Sequence, residues 1–156
     1  MADAPVIRSA TRDDLPVLKA FEQGIIAAER PYDPTLKPDP ISYYDLGELI
    51  DSAEAEVAVI EIGGEIVASG YAKKKKSLPY VQSDDHAFLG FMFVRPEARG
   101  RGLNQLLMDH LLGWTKANGL TEVHLTVYPG NEPAIRAYEK AGFRPYLIEM
   151  RLSSGD

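Results

Sequence analysis

The chain of 156 residues has no cysteine, which excludes disulfide bonds, thiolate metal sites and a cysteine nucleophile. Its formal net charge of −6 argues against general nucleic-acid binding, because such proteins usually present a basic face. The hydrophobic share of 45% is ordinary for a globular protein, and no apolar run approaches membrane-spanning length. We therefore expect a single domain over residues 1–156, in the cytoplasm, without membrane or nucleic-acid contacts.

The first third of the chain predicts a strand and two helices joined by a stiff loop. A short strand over Val6–Ala10 is followed by Thr11 and Asp14 at the spacing of a capping box. Apolar residues at helical spacing then predict a helix that ends at about Glu29, before Pro31. A loop with four prolines over residues 30–40 and a weaker helix over residues 41–53 come next.

A β-hairpin and a run of lysines follow. Two strands flank the tight turn Gly63-Gly64, and the second strand ends in Lys73–Lys76. Alternate strand residues point to opposite faces, so four lysines need not form one patch. A solvated strand end that discourages edge pairing is the favoured interpretation, and an anion site is the alternative.

The middle of the chain predicts a strand, a glycine-rich basic turn and a helix. The strand covers His86–Val94, and apolar residues from Leu103 to Trp114 recur at the helical period. Two arginines and two glycines lie between them, at Arg99, Gly100, Arg101 and Gly102. Free backbone N–H groups at a helix start, approached through glycines, make a seat for a phosphate or pyrophosphate. The spacing matches neither the P-loop nor the dinucleotide fingerprint.

The last third predicts a strand, a helix and a final strand. Leu120–Val127 has strand character, Asn131 suits a helix cap, and Pro133 fits the first helical turn. Gly142 is expected to end this helix, and a last strand is expected from Phe143 through Met150.

Two stretches resemble the signatures of one family, the GNAT acyltransferases. Arg99-x-x-Gly102-x-Asn104, after Val94-x-Pro96, resembles the acetyl-CoA-binding motif Gln/Arg-x-x-Gly-x-Gly/Ala, with Asn104 departing from Gly or Ala. The stretch from Asn131 to Phe143 resembles the second signature, Asn-x-x-Ala-x-x-x-Tyr-x-x-x-Gly-Phe, at every position. The order of the signatures and the elements before them extend the resemblance over nearly the whole chain.

The resemblance implies a fold and an activity. The fold would be the α/β GNAT acyl-CoA N-acyltransferase fold, a mixed twisted sheet flanked by helices, with splayed fourth and fifth strands. The activity would be direct transfer of an acetyl group from acetyl-CoA to a primary amine of a small molecule, a peptide or a lysine. No metal and no covalent enzyme intermediate are expected. Dimers are common in the family, so a homodimer is expected from the resemblance alone.

The resemblance also implies site residues. Acetyl-CoA would contact a set on the fourth strand, the basic turn and the second signature, namely Phe93, Val94, Arg99, Gly100, Arg101, Gly102, Leu103, Asn104, Asn131, Ala134 and Tyr138. Tyr138 would protonate the leaving thiolate; a tyrosine packed in the core is the alternative. Gly90 suits a bulge that exposes strand backbone to pantetheine.

The sequence does not identify the general base that would deprotonate the amine. Many family members carry a carboxylate where this chain has Leu89-Gly90-Phe91. The candidates are Glu29, Asp85, His86 and His124, and His86 is assigned as catalytic because histidine has a suitable pKa.

The resemblance also leads to expectations about the acceptor-binding residues, and alternative functions stay open. Glu29, Arg30 and Tyr32 are assigned to acceptor binding, because the family's acceptor cleft borders this region; a proline-rich surface loop with solvated charges is the alternative. A CoA-binding regulatory module without efficient turnover, and transfer of a longer acyl group, are the other functional hypotheses.

Overall fold

A computed structural model describes residues 3–155, which divide into two compact units, one up to Thr126 and one from Val127. The first unit contains a five-stranded sheet in the order β1-β2-β3-β4-β5. The strands are β1 Val6–Ser9, β2 Ala55–Ile62, β3 Glu65–Lys76, β4 Asp85–Val94 and β5 Val123–His124. The first four strands pair antiparallel, and β5 runs parallel to β4. This arrangement confirms the predicted mixed sheet.

Three helices flank this sheet: α1 Leu15–Glu29, α2 Leu46–Asp51 and α3 Leu103–Ala117. Helix α1 ends where the sequence predicted. Helix α2 is shorter than predicted because the N–H groups of Tyr43 and Tyr44 donate to the Glu22 carboxylate and Asp45 caps the helix. Among the described residues, no helix has both the length and the apolar character needed to cross a bilayer.

The two faces of the sheet are covered by different helices. On one face, Leu18, Phe21 and Ile25 of α1 pack into a buried cluster with side chains of β2, β3 and β4. On the other face lies α3, whose Leu111 reaches within 3.1 Å of a Cβ built at Gly70. Successive strand residues face opposite sides, so β3 contributes to both layers.

The second unit contains α4, Glu132–Lys140, between Asn131 and Gly142. The predicted strand from Phe143 through Met150 is wrong for the described structure, which shows neither helix nor strand there. The predicted fifth strand over residues 120–127 is reduced to the two residues of β5. Both predictions rested on local pattern, whereas a strand exists only where a neighbouring backbone pairs with it.

Candidate functional site

A bulge interrupts β4 opposite Gly70. Ser69 pairs with Phe93 and Tyr71 pairs with Gly90, so two residues of β4, Phe91 and Met92, stand opposite one residue of β3. Phe91 has a φ of 59°, a left-handed conformation that bulky residues rarely adopt. Ser69 Oγ donates to the Phe91 carbonyl at 3.2 Å and holds the bulge in place. The bulge follows directly after Gly90, the residue that suggested one.

Two glycines make room for side chains at this bulge. A Cβ at Gly90 would lie 2.7 Å from the Tyr71 phenol oxygen, and one at Gly70 would lie 2.6 Å from Met92 Sδ. Sequence reasoning found Gly90, an isolated glycine in a bulky strand, but missed Gly70, which lies among small residues of the hairpin.

Parallel pairing between β4 and β5 covers two residue pairs, Ala87 with Val123 and Phe88 with His124. The rest of β4, from Leu89 to Val94, lies outside this ladder. The ladder therefore stops before the bulge, as expected for two strands that splay apart.

The basic turn leads from β4 into α3. A short 3-10 turn over Pro96–Ala98 comes first, and Gly100 and Gly102 follow with φ values of 78° and 75°. Gly102 is the N-cap of α3, and among the described residues no side chain caps this helix start. The N–H groups of its first turn are therefore available to an anion, and the helix dipole favours negative charge there.

The side chains of this turn divide into anchored and exposed ones. The Arg95 backbone N–H donates to Val67 O and its Nε to Ile66 O, both at 2.8 Å. Arg99 and Arg101 are exposed, although Arg99 Nε donates to Val94 O at 3.1 Å.

The remaining residues assigned to acetyl-CoA in this unit differ in burial. Leu103 is buried, and Val94 is half-buried. The half-buried Phe93 packs its ring 4.7 Å from that of Phe21. Asn104 is the second residue of α3, where no positive φ is needed, so its side chain does not strain the turn.

A second feature of the first unit is an aromatic cluster, which we define as Tyr43, Tyr44, Tyr71 and Phe91. The Tyr44 ring lies edge-on to those of Tyr43, Tyr71 and Phe91, with centroids 5.4–5.7 Å apart. A hydrogen bond links the Tyr44 phenol to the Phe91 backbone, and burial raises the pKa of both Tyr44 and Tyr71. The cluster therefore connects the segment before α2 to the bulge of β4.

Glu22 fixes the approach of this segment to α1. Glu22 is only 3% exposed. One of its carboxylate oxygens accepts hydrogen bonds from the backbone N–H groups of Tyr43 and Tyr44, at 2.8 Å each. Sequence reasoning did not find Glu22, because its partners lie 21 and 22 residues further along the chain.

Glu29 ends α1 beside the aromatic cluster. Burial raises the pKa of its carboxyl, the interaction with Tyr43 opposes that rise, and the charge of Asp33 adds to it. Of the other two residues assigned to the acceptor, Arg30 forms an ion pair with Asp39 at 2.6 Å, and Tyr32 is 40% exposed. Glu29 is thus the assigned acceptor residue that interacts with the cluster.

The candidate bases on the sheet lie at the start of β4 and in β5. His86 Nδ1 lies 2.9 Å from Ser77 Oγ, and the His86 ring stacks on that of His124 at 4.2 Å. Burial, then the nearby His124 and Lys75, lower the pKa of His86. Asp85 lies within 4.0 Å of two lysine ammonium groups.

The lysine run has local partners. Lys74 and Lys76 face Asp85 at 3.7 and 4.0 Å, and Lys75 Nζ lies 4.9 Å from the centre of the Phe88 ring. These contacts favour the structural interpretation of the run as a charged strand end.

In the second unit, the residues of the second signature shape α4. Asn131 Oδ1 accepts the N–H of Ala134 at 3.4 Å, and so caps the helix. Tyr138 is half-buried, its ring edge-on to that of Phe143 at 6.2 Å. The Phe143 N–H donates to the Tyr138 carbonyl at 3.0 Å after Gly142, whose φ is 106°.

Comparison with known proteins identifies the family of this chain. The family model described as "Acetyltransferase (GNAT) family" matches residues 22–143. The chain belongs to the GNAT acetyltransferase family. Streptothricin acetyltransferase of Streptomyces lavendulae is 30% identical over 137 residues, which cover 85% of this chain and 69% of that protein. Mycothiol acetyltransferase of Actinosynnema mirum is 44% identical over 58 residues, and the match spans 37% of this chain and only 20% of that protein.

Solved structures share this GNAT fold. A tetramutant of the BH1408 protein from Bacillus halodurans superposes with a TM-score of 0.84 at 21% identity, covering 96% of this chain and 99% of that one. A predicted acetyltransferase from Clostridium acetobutylicum, solved with acetyl-CoA, superposes with a TM-score of 0.72 at 16% identity and covers 96% of both chains.

Metal chemistry has no candidate cluster in the described part of this GNAT protein. No group of three or more histidine, aspartate or glutamate side chains converges there in a way that could hold a metal ion. The exposed turn at the start of α3 instead fits a polyanionic ligand, because it offers backbone donors and two arginines.

Proposed function

We propose that this GNAT protein transfers the acetyl group of acetyl-CoA directly to a primary amine. The observation that carries the proposal is the exposed, glycine-containing start of α3. It follows β4, whose backbone is bulged and whose pairing with β5 stops before the bulge. The amides from Arg99 to Asn104 would hold the pyrophosphate. The backbone from Phe91 to Val94 would align pantetheine and polarise the thioester carbonyl.

Tyr138 is proposed as the general acid. A phenol within hydrogen-bonding reach of sulfur can protonate the thiolate as it leaves. The support is the signature around it, complete from Asn131 to Phe143, together with the family match. Asn131 and Ala134 are proposed to contact acetyl-CoA from the start of α4.

The acceptor is proposed to be a small cationic amine. The relative that covers 85% of this chain is named for acetylation of streptothricin, and this favours a small molecule over a protein. The acidic net charge of −6 is compatible with a cationic acceptor. The cytoplasmic location, the homodimer and the single-domain organisation stay predictions.

Calorimetric titration with acetyl-CoA tests the donor site. Wild type should bind, and Arg99→Ala combined with Gly102→Asp should lose binding, because an arginine is removed and a carboxylate is placed among the amide donors. The matched control combines Lys116→Ala with Gly64→Asp. Gly64 is also an open glycine with positive φ, at 80°, but lies in the β2–β3 turn. No binding to wild type, or equal loss in the control, would contradict the proposal.

Turnover of Tyr138→Phe tests the proposed acid. Loss of proton transfer should lower kcat by about 100-fold or more, while the acetyl-CoA Kd stays within about twofold. CoA release can be followed with a thiol reagent without background from the protein, because the chain has no cysteine. Streptothricin, an aminoglycoside and a peptide with N-terminal alanine form the acceptor panel. Binding without turnover of any amine would favour the regulatory-module hypothesis. That hypothesis is motivated by Leu89-Gly90-Phe91, where many family members carry a carboxylate.

A further inference from the structure

We propose that Glu29 accepts the proton of the acceptor ammonium group, so that the general base stands on α1 rather than on the sheet. The aromatic cluster beside it would orient the cationic amine toward the bulge of β4. This inference rests on the proposed N-acetyl transfer and names the residue that makes the amine nucleophilic.

A continuous set of contacts links Glu29 to the bulge. Glu29 lies one helical turn after Ile25, on the face of α1 that packs with Phe91. Its carboxyl interacts with Tyr43, whose ring lies 5.7 Å from that of Tyr44. The Tyr44 phenol is hydrogen-bonded to the backbone of Phe91, the residue with the left-handed φ. Glu29 therefore belongs to the side-chain layer that covers the proposed position of the thioester.

Glu22 makes this arrangement rigid. Its buried carboxylate holds the backbone N–H groups of both Tyr43 and Tyr44. The two tyrosines are thereby fixed against α1, on which Glu29 lies two helical turns further along. A base on α1 and aromatic rings at a fixed distance from it form a preorganised acceptor site.

The other candidate bases are less suitably placed for a reaction at the bulge. His86 lies five residues before Phe91, or roughly 16 Å along an extended strand. Its ring is engaged by Ser77 and His124. Asp85 lies one residue further away and faces Lys74 and Lys76.

The chemistry requires a proton acceptor. A lysine-like amine has a pKa of about 10.4, so only about one molecule in a thousand is neutral near pH 7. The ammonium would donate one proton to Glu29, and its nitrogen lone pair would then form the N–C bond with the thioester carbonyl carbon. The C–S bond breaks, and the proposed acid Tyr138 gives its phenol proton to the leaving thiolate. The remaining excess proton on nitrogen restores the Tyr138 phenol, and Glu29 releases its proton to solvent.

The surroundings of Glu29 suit both steps. Burial and the charge of Asp33 favour its protonated form, whereas the interaction with Tyr43 favours the carboxylate. Tyr44 also interacts with Glu29, and Arg30, the next residue, pairs with Asp39. Aromatic faces attract an incoming cation and favour its approach to the carboxylate.

Glu29→Gln is the direct test. Glutamine keeps the shape of the side chain beside Tyr43 but takes up no proton, so kcat should fall by about 100-fold or more while the acetyl-CoA Kd stays within about twofold. The acid limb of the wild-type kcat/KM profile should disappear. Glu48→Gln, an equal charge change at an exposed position of α2, should leave both constants unchanged. A kcat of Glu29→Gln within threefold of wild type would overturn the proposal.

Two amines distinguish a base from a merely structural residue. Ethylamine is protonated at neutral pH, whereas 2,2,2-trifluoroethylamine is largely neutral and needs no base to release its lone pair. The ratio of wild-type to Glu29→Gln rate should therefore be at least tenfold smaller for trifluoroethylamine. An equal ratio for both amines would assign Glu29 a structural role.

Carbon NMR of glutamate side chains adds a test that needs no acceptor. The carboxyl resonance that vanishes in Glu29→Gln should titrate above the ordinary glutamate pKa of about 4.3. An ordinary midpoint would overturn the proposal. If acetyl-CoA binds and Tyr138→Phe is inactive while Glu29→Gln is active, the proposed function stands and only this inference fails. Absence of acetyl-CoA binding would remove both.

Discussion

At the scale of single residues, Arg8 joins three parts of the first unit. Its guanidinium contacts both carboxylate oxygens of Asp14, at 2.8 and 3.0 Å, and reaches Glu61 Oε1 at 2.7 Å. Asp14 also accepts the backbone N–H of Thr11 at 2.7 Å, which is one half of the predicted capping box. The Arg8 hydrogen bond holds the pKa of Asp14 below its ordinary value, although burial opposes this.

Asp14→Asn should therefore change stability in a pH-dependent way. Because the folded pKa is depressed, the contribution of Asp14 is complete above the unfolded carboxyl pKa of about 3.9 and is lost as the pH falls through the folded value. The variant should be about 2 kcal/mol less stable at pH 7, the scale of a buried hydrogen bond to a charged group. The difference should shrink below pH 3.9 or so. Urea unfolding at pH 7, 5 and 3 measures it.

The control for this prediction is Asp109→Asn. Asp109 is exposed and accepts one hydrogen bond, from Gln105 on the same helix. A difference between wild type and Asp14→Asn that stays constant from pH 7 to pH 3 would contradict the electrostatic account.

Residues with local partners were the ones that sequence could predict. The Thr11–Asp14 box, the Asn131 cap and the glycines of the basic turn each act within a few positions of themselves. Glu22 gave no such signal, because a glutamate on a helix is ordinarily solvated and its two partners belong to a segment 21 residues away.

At the scale of elements, two helix-interior glycines that look alike in sequence have opposite surroundings. Gly24 lies in α1, where a Cβ would stand 2.9 Å from the Phe93 ring, and Gly113 lies in α3, where a Cβ would meet nothing within 4 Å. Neither has a positive φ. Gly24 is thus a packing glycine, and Gly113 retains only the entropic cost of glycine in a helix.

Alanine at these two positions should have effects of opposite sign. Gly113→Ala should raise the free energy of unfolding by about 0.5–1 kcal/mol. Gly24→Ala should lower it by about 1–3 kcal/mol, because the Phe93 ring, which packs against Phe21, must shift to make room for the added methyl group. Chemical denaturation of both variants measures the pair, and stabilisation by Gly24→Ala would show that Phe93 can shift without cost.

Element predictions succeeded where periodicity and end signals agreed. Helices α1 and α3 carry long apolar repeats and end at a proline loop and at Asn118-Gly119, and both were placed correctly. Predictions failed for three elements: α2 and β5 are shorter than predicted, and the strand after Phe143 is not formed. Their extent depends on contacts with distant parts of the chain, which a local pattern does not contain. The bulge in β4 was indicated by Gly90, but the left-handed residue is Phe91.

At the scale of the whole molecule, the net charge and the proposed ligand have the same sign. The chain carries −6, so attraction for a polyanion must be local to the start of α3, where Arg99 and Arg101 are exposed. Attraction of this kind weakens with salt, since the Debye length falls from about 10 Å at 0.1 M to about 3 Å at 1 M. Ligand stabilisation should therefore depend on both the turn and the ionic strength.

Thermal unfolding with acetyl-CoA measures this dependence. At a ligand concentration 100 times Kd, binding should stabilise the native state by about 2.7 kcal/mol. For a protein of this size that corresponds to a rise in Tm of about 5–11 °C. Arg99→Ala combined with Gly102→Asp should show no rise at the same concentration, and pantetheine, which lacks the pyrophosphate, should give none in wild type. Raising the salt to 1 M at fixed ligand should reduce the wild-type shift, because the two arginines that would attract the pyrophosphate are solvent-exposed. A salt-independent shift that survives in the double variant would place the ligand away from the start of α3.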